Sequence, residues 1–192
     1  MGYIIKFPIT QHPSIAMKKF RTFLLVVFAL FTFSVAQAGP VESAFSPDGG
    51  AEALVLKTIG AARHNIRMAA FSFTSSKIVK SLVAAKRHGV DVQVIVDDSK
   101  GCSDNATRSA MNLLTNAGIP LRTVGTYKLH HDKYMIIDGK HVQTGSFNYT
   151  RAAAEGNSEN VVVIWNDEAN ANRYLRHWQS RWNQGRTWYC PY

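Results

Sequence analysis

The segment His131-Asp132-Lys133-Tyr134-Met135-Ile136-Ile137-Asp138, followed by Gly145-Ser146-Phe147-Asn148, decides the fold that we expect of this chain. Successive residues of a β-strand point to opposite faces of the sheet. Met135, Ile136 and Ile137 place apolar side chains on both faces, which is typical of a strand buried in a sheet that is covered on both sides. Polar residues stand at the ends of this apolar run, where a pocket can open.

The polar residues of the segment suit phosphodiester chemistry. A histidine can attack phosphorus, while an ammonium, a hydroxyl and an amide can hold the charged oxygens of a phosphate. Residues two apart in a strand share a face, so His131 and Lys133 are expected to project together, as are Ser146 and Asn148. Asp138 has the opposite parity and is expected to support the site from behind.

This H-x-K-x4-D pattern with its following G-S-x-N resembles the phospholipase D superfamily, and within it the small secreted bacterial endonucleases that carry one such motif. Glu159, in Asn157-Ser158-Glu159-Asn160, extends the resemblance, because the family places a glutamate downstream that hydrogen-bonds a catalytic histidine. The first pattern alone would be a weak signal, but the three together at the family spacing are specific. The resemblance covers nearly all of residues 39–192.

The resemblance implies a homodimer, because larger members carry two copies of the motif in one active site and this chain carries one. His131 and Lys133 of both chains would meet across a two-fold axis. One His131 would form a covalent phosphohistidine, while the other would protonate the leaving oxygen and then activate water. Lys133 and Asn148 would hold the non-bridging oxygens, and Glu159 would orient an imidazole. Neither a metal nor another cofactor is needed.

Four further site residues are expected from the same segment. Gly145 would let the backbone approach the substrate, and Ser146 would donate to the phosphate or orient the site. Tyr149 is the aromatic residue best placed to touch the substrate. Asp138 belongs to the family motif and is counted with the catalytic residues, although its role is expected to be structural.

Helical and strand patterns alternate outside the motif. Strands are expected at residues 66–73, 90–96, 121–124, in the motif, from 141 onward and at 161–165. Helices are expected near 46–63, 75–89, 107–116 and 167–184. This order predicts an α/β fold, a mixed, largely parallel β-sheet sandwiched by helices as in phospholipase D-like proteins.

The N-terminal residues have the pattern of an export signal. Basic residues at 18, 19 and 21 precede an apolar run from Phe23 to Phe33, and Ala36-Gln37-Ala38 is an A-x-A cleavage site. We therefore predict an N-terminal extension and secretory signal peptide over 1–38 and a nuclease domain over 39–192, in a periplasmic or secreted protein without stable membrane insertion after cleavage. The alternative is an uncleaved membrane anchor.

Charge supports a polyanionic partner, and the cysteines leave their pairing open. The net charge of the chain is +9, and residues 1–38 hold four basic and no acidic residues, so residues 39–192 carry +5. Cys102 and Cys190 could form one disulfide in an oxidising compartment. Two free thiols, or a bridge between chains, are the alternatives that the sequence leaves open.

Other histidines and acidic residues have simpler explanations than catalysis. His130 is expected at a loop or surface, because neighbours on a strand point opposite ways, so His130, His131 and His141 do not predict a metal cluster. His177 is expected on a helix surface. Asp97-Asp98 is expected to be a solvated turn at a strand end rather than a catalytic pair.

The aromatic residues near the C-terminus permit two interpretations. Trp178 and Trp182 lie four apart on the last predicted helix, a spacing typical of core packing. Trp188, Tyr189 and Tyr192 could stack on nucleic-acid bases or could fasten the tail to the domain.

The function that we expect is a metal-independent, sequence-nonspecific endonuclease acting on DNA, with RNA as a further candidate. The motif contacts phosphate and carries no base-recognition element. The first alternative is a phospholipase D-type hydrolase of glycerophospholipids, which would use the same chemistry. The second is a nucleic-acid-binding module with weak catalysis, although every expected catalytic position is occupied by the family's residue.

Overall fold

A computed structural model describes residues 1–3, 39–47, 50–99 and 101–190. The apolar run and cleavage site of the predicted signal peptide lie outside these residues. All the strands and helices named below belong to one unit, Ala38–Tyr192. Among the described residues, no helix combines the length and the apolar character needed to cross a membrane.

The described chain alternates strands and helices, numbered here in chain order. The strands are β1 (Val41–Ser46), β2 (Asn65–Ala70), β3 (Asp91–Asp97), β4 (Leu121–Val124), β5 (Tyr134–Ile137), β6 (His141–Gly145), β7 (Glu159–Ile164) and β8 (Arg186–Thr187). The helices are α1 (Gly50–Ala61), α2 (Ser76–Arg87), α3 (Asn105–Asn116), α4 (Arg151–Glu155) and α5 (Glu168–Gln184).

The described strands form one sheet in the order β1-β7-β6-β5-β2-β3-β4-β8. The predicted mixed α/β class is confirmed, but the expectation of a largely parallel sheet is wrong. Among the described strands, β2, β3 and β4 pair in parallel, and the other pairings are antiparallel. The physical reason is the connections: long helices return the chain between β2, β3 and β4, whereas a tight turn joins β5 to β6.

Helices cover both faces of the sheet. Side chains of α1, α2 and α3 pack on one face, against residues that include Met135 and Ile137 of β5. Trp178 of α5 packs on the other face, with Ile136. Every residue of β5 is buried, so the predicted burial of the motif strand on both faces is confirmed.

Capping side chains begin α2 and α5 where the sequence predicts them. Ser75 accepts a hydrogen bond from the backbone N–H of Ile78 at the start of α2. Asp167 accepts from Asn170 at the start of α5. These side-chain oxygens satisfy donors that have no partner inside the helix, which is why the predicted starts of these two helices agree with the observed ones. The helix expected from residue 46 begins instead at Gly50, because Ser46 belongs to β1, and α4 was not predicted.

Two edge strands were not predicted. β1 pairs with β7, and the two-residue β8 pairs with β4, both in antiparallel register. The apolar residues Val41 and Phe45 of β1 face solvent, whereas a half-buried strand normally turns its apolar residues toward the core. The sequence of β1 therefore lacks the alternation that identifies such a strand. Pairing with a distant segment of the chain makes it a strand.

The C-terminal segment is fastened to α3. Cys102 and Cys190 form a disulfide with their Cα atoms 5.9 Å apart, within the ordinary span of such a bond. Trp188 is buried, and its indole N–H donates to Asn112 at 2.9 Å. Of the two interpretations of the tail aromatics, Trp188 therefore fits the fastening one, whereas Tyr189 is 83% exposed.

Candidate active site

A cleft opens where β5 begins and β6 ends, since Tyr134 and Thr144 are partners across these antiparallel strands. Its volume is about 450 Å³. The segment before β5, the end of β6 and the outer side of α5 contribute its walls. The lining residues are His131, Asp132, Lys133, Tyr134, Thr144, Gly145, Arg173, Tyr174 and His177.

The structure brings the side chains of His131 and Lys133 together in this cleft, as predicted. Lys133 Nζ lies 3.3 Å from His131 Nδ1 and 2.9 Å from the carbonyl oxygen of His131. The exposed His131 ring lies 4.5 Å from the ring of Phe71, and Lys133 Nζ lies 5.0 Å from the same ring. The two residues precede β5 rather than forming part of it, so a short extended segment holds them at the mouth of the sheet.

Burial makes Lys133 an unusual lysine. Desolvation lowers the pKa of Lys133, because the charged ammonium loses water there, while the charges of Glu159 and Asp132 act in the opposite direction. The ammonium is thus held in a partly water-free position beside an exposed imidazole. A cation in such a place interacts with an anionic ligand more strongly than it would in water.

Ser146 and Glu159 form one hydrogen-bonded group next to the cleft. The Ser146 hydroxyl donates to Glu159 Oε2 at 2.6 Å and accepts from the backbone N–H of Asn160 at 3.0 Å. Asn157 donates to Glu159 Oε1 at 3.0 Å. In this arrangement the Ser146 proton is directed to Glu159, which fits the orienting one of the two roles expected of Ser146. Within one chain, the Glu159 carboxylate bonds to these groups and not to the His131 imidazole.

Gly145 is required by the neighbouring strand. Its φ is +148°, and a Cβ atom at this position would lie 2.2 Å from the carbonyl oxygen of Asn160. That is closer than any side chain allows, so only glycine fits where β6 meets β7. Gly145 also lines the cleft, and its lack of a side chain keeps that wall open.

Asn148 and Tyr149 follow β6, and their environments differ. The Asn148 Oδ1 is buried and has no hydrogen-bond partner among the described residues. Tyr149 is fully buried, and its hydroxyl donates to Gln143 at 2.8 Å. The prediction that Tyr149 touches the substrate is therefore wrong, because the ring packs in the core beneath α1, α2 and α3.

Asp138 lies at the end of β5 away from the cleft, so its place among the catalytic residues is corrected. Its carboxylate accepts the backbone N–H groups of Arg63, His64 and Asn65 at 2.8 to 2.9 Å. Burial alone would raise the pKa of Asp138, but these three hydrogen bonds outweigh it and lower the pKa. Asp138 fastens the β5–β6 turn to the connection between α1 and β2.

Sequence reasoning missed a group of polar residues that centres on Asp132. Asp132 Oδ2 lies 2.9 Å from Nε2 of His177 and 3.5 Å from Nδ1 of His130. His130 lies in a loop, one of the two expected places, but it is buried there, and desolvation lowers its pKa despite the charges of Asp132 and Asp97. Asp97 is also buried and accepts the backbone N–H of His130 at 2.6 Å, so it is not a solvated turn residue.

The sequence carries only a weak signal for this group, because the group depends on where α5 packs. The i, i+4 spacing of Arg173 and His177 places both on one side of that helix, but the sequence does not show that this side faces the motif. Among residues 1–3, 39–47, 50–99 and 101–190, no group of three or more His, Cys, Asp or Glu side chains has an arrangement that could hold a metal ion.

Comparisons with known proteins agree with this geometry. Residues 55–182 match the family described as cardiolipin synthase, PLD-like domain. The phospholipase D of Rickettsia bellii is 34% identical over 151 residues, which span 79% of this chain and 73% of that protein. The mitochondrial cardiolipin hydrolase of Canis lupus familiaris is 31% identical over 131 residues, which span 68% of this chain and 50% of that protein.

Two solved structures have the same arrangement of strands and helices. Nuc from Salmonella typhimurium, a phospholipase D family member, superposes with a TM-score of 0.76 at 50% identity, covering 79% of this chain and 99% of that one. NucT from Helicobacter pylori superposes with a TM-score of 0.66 at 19% identity, covering 78% of this chain and all of that one. The second likeness concerns the fold alone.

Proposed function

Because the chain belongs to the phospholipase D-like family, whose members are phosphodiester hydrolases, we propose that it is a metal-independent endonuclease acting on DNA, with RNA as a further candidate substrate. We place it in the periplasm or outside the cell, a proposal that rests on the signal-peptide pattern before residue 39. Its active form in this proposal is a homodimer.

The composition of the cleft is the observation that carries the nuclease proposal. The cleft is open to solvent, and no aliphatic side chain is among its lining residues. An acyl chain binds to apolar walls, whereas phosphates bind to ammonium, guanidinium and imidazolium groups. Lys133 and Arg173 are groups of the second kind, and His177 adds an imidazole. The rings of Tyr134 and Tyr174 are the apolar part of the wall.

In the proposed mechanism one His131 is the nucleophile. An imidazole nitrogen attacks phosphorus, the bond from phosphorus to the leaving oxygen breaks, and the second His131 gives its proton to that oxygen. The second His131 then takes a proton from water, whose oxygen attacks the phosphohistidine and releases the first imidazole. Phosphodiester hydrolysis of this kind needs a barrier reduction on the order of 20 kcal/mol.

Other residues of the site would stabilise the negative charge of the phosphate and orient the histidines in this mechanism. Lys133 lies 3.3 Å from His131 and can stabilise negative charge on the non-bridging oxygens. Asn148 can serve the same task only through its side-chain Nδ2–H groups, because an amide oxygen accepts hydrogen bonds and does not donate them. Glu159 and Ser146 are hydrogen-bonded to each other and would position the histidine contributed by the second chain.

The homodimer is proposed because the two histidine roles cannot be filled by one side chain. One His131 must be neutral to attack while another is protonated to donate. A two-fold axis beside the cleft supplies the second copy. An exposed apolar face on β1 supports such an axis, since Val41 and Phe45 are 63% and 64% exposed. Ser43 lies between them. It is in register with Val162 of β7, which is in register with Thr144 of β6. Thr144 lines the cleft, so this face continues into the site.

A phospholipase is the second candidate, and the names of the relatives favour it. The matching proteins include phospholipase D of Rickettsia bellii and a mitochondrial cardiolipin hydrolase. The histidine chemistry would be the same for a lipid phosphodiester, so the walls of the cleft and not the catalytic residues separate the two functions.

The test of the proposed function is the conversion of supercoiled plasmid in excess EDTA by residues 39–192, with His131→Ala as the matched variant. We expect wild type to nick and linearise the plasmid and His131→Ala to lose at least about a thousandfold in rate, as expected when a group acting as a covalent nucleophile is removed. Cardiolipin vesicles are assayed in parallel. Cleavage of lipid without cleavage of plasmid would overturn the nuclease proposal, and equal cutting by both proteins would overturn the role of His131.

A further inference from the structure

The wall of the cleft formed by α5 carries positive groups that the proposed chemistry does not use. Arg173 and His177 line the same cleft as His131 and Lys133. They lie four residues apart and therefore on the same side of the helix. Arg181 continues this side by one more turn, and its guanidinium lies 4.6 Å from the ring of Tyr127.

This wall is held in place by the rest of the molecule. The indole N–H of Trp178 donates to the carbonyl oxygen of Met68 in β2 at 3.0 Å, which fixes α5 against the sheet. The ring of Tyr174 lies 5.0 Å from that of Tyr134. Asp132 Oδ2 lies 2.9 Å from Nε2 of His177 and orients that imidazole. The helix itself and the His177 imidazole are therefore held in place before a ligand arrives, which lowers the cost of binding.

Arg173 and His177 differ in the partners that they already have. His177 interacts with the carboxylate of Asp132, the acidic residue that lines the cleft. Arg173 is exposed and makes no salt bridge among the described residues. A guanidinium beside the reaction centre without a carboxylate partner is suited to bind a phosphate in two-point geometry.

We propose that Arg173 and His177 form a second phosphate subsite, which holds the phosphate next to the scissile one in a nucleic-acid strand. This inference rests on the proposed nuclease function. Lys133 serves the scissile phosphate, and a cleft of about 450 Å³ has room for more than one phosphate. A polynucleotide has a phosphate on each nucleotide, whereas an isolated diester has one. The subsite therefore selects a strand over a lone phosphodiester.

The experiment compares two substrates of wild type and Arg173→Ala in EDTA. One substrate is bis(p-nitrophenyl) phosphate, which has a single phosphate, and the other is a single-stranded DNA oligonucleotide with a fluorophore and a quencher. Arg176→Ala is the matched control, because Arg176 is an exposed arginine of α5 that does not line the cleft. His177→Gln is the second subsite variant.

For Arg173→Ala we expect the ratio of kcat/KM for the oligonucleotide to kcat/KM for the small diester to fall by roughly tenfold or more, as befits one lost charged hydrogen bond. His177→Gln should lower the ratio in the same direction. The slope of log kcat/KM for the oligonucleotide against log salt should become shallower by about 0.7 for Arg173→Ala. Arg176→Ala should keep the wild-type ratio.

Equal effects of Arg173→Ala and Arg176→Ala would overturn the subsite, because they would show general attraction by the surface charge. Equal losses on both substrates for Arg173→Ala would also overturn it, because Arg173 would then act at the scissile phosphate. A wild type that hydrolyses the small diester and leaves the oligonucleotide intact would overturn the proposed nuclease function itself, which is a different result from either.

Discussion

Asp138 shows at the scale of one residue how a motif carboxylate can be essential to the structure while lying away from the chemistry. Its carboxylate accepts hydrogen bonds from the three backbone N–H groups of residues 63–65. Its φ of +53° is tolerated by aspartate and asparagine better than by most residues. Because the hydrogen bonds lower its pKa, the charged carboxylate adds stability above the carboxyl pKa of the unfolded chain. That stability is lost as the pH falls through the lower pKa of the folded state.

Asp138→Asn should therefore destabilise the fold by roughly 1.5–3 kcal/mol at pH 7, because an amide group replaces one oxygen that accepts an N–H. The difference from wild type should be constant above about pH 5 and shrink at lower pH, where the wild-type carboxyl becomes protonated. Urea unfolding of both proteins at pH 7 and pH 3.5 measures this. An unchanged free energy of unfolding at pH 7, or a difference that does not shrink in acid, would contradict the assigned role.

At the same scale, the sequence predicted the meeting of His131 and Lys133 because two-residue spacing holds in any extended segment, inside or outside a strand. It failed for Tyr149, which follows β6 where the chain turns into the core. It also did not predict that His130 is buried in its loop, where its backbone N–H donates to Asp97, 33 residues away in sequence. Local spacing cannot predict contacts of that kind.

At the scale of elements, the exposed face of β1 is a candidate contact surface for a second chain. Val41 and Phe45 are large apolar side chains exposed on an edge strand. Ser43, between them, is in register with Val162 of β7 and, beyond it, with the cleft-lining Thr144 of β6. Apolar side chains on an open sheet face are typical of contact surfaces. We place the second chain of the proposed dimer against this face.

Phe45→Glu should weaken dimerisation by roughly thirtyfold or more, since a buried aromatic at an interface commonly contributes at least about 2 kcal/mol. Nuclease activity at low protein concentration should fall in parallel. Leu113→Glu is the matched control, because Leu113 is 56% exposed on α3 and the change adds the same charge. Sedimentation velocity over a concentration series measures the effect. Equal behaviour of the two variants would remove this face from the dimer.

The predictability of the elements follows from where their stabilising contacts lie. The starts of α2 and α5 depend on capping residues within one turn, Ser75 and Asp167, and the motif strand depends on its own apolar run, so these were predicted. β1, β8 and the antiparallel pairings depend on partners far along the chain. The disulfide between Cys102 and Cys190 likewise needs a distance that only the folded chain supplies.

At the scale of the whole molecule, the fold presents one histidine–lysine pair at the mouth of the sheet, and the proposed chemistry needs two histidines. Of the other described histidines near the cleft, His130 is buried, whereas His177 lines the cleft with Asp132 bonded to its imidazole. In our proposal the second histidine is His131 of the partner chain, because larger members of the family bring two copies of the motif to one site and this chain carries one. The central claim is therefore that two chains share one active site.

The measurement that tests this claim most directly is activity across mixtures of wild type and His131→Ala. The two proteins are unfolded together, refolded at constant total concentration, and assayed on plasmid in EDTA. If each site needs both histidines, activity falls with the square of the wild-type fraction, to about one quarter at equal amounts for random pairing of the two chains. A linear fall, to about one half at equal amounts, would contradict a shared site and assign a complete active site to each chain.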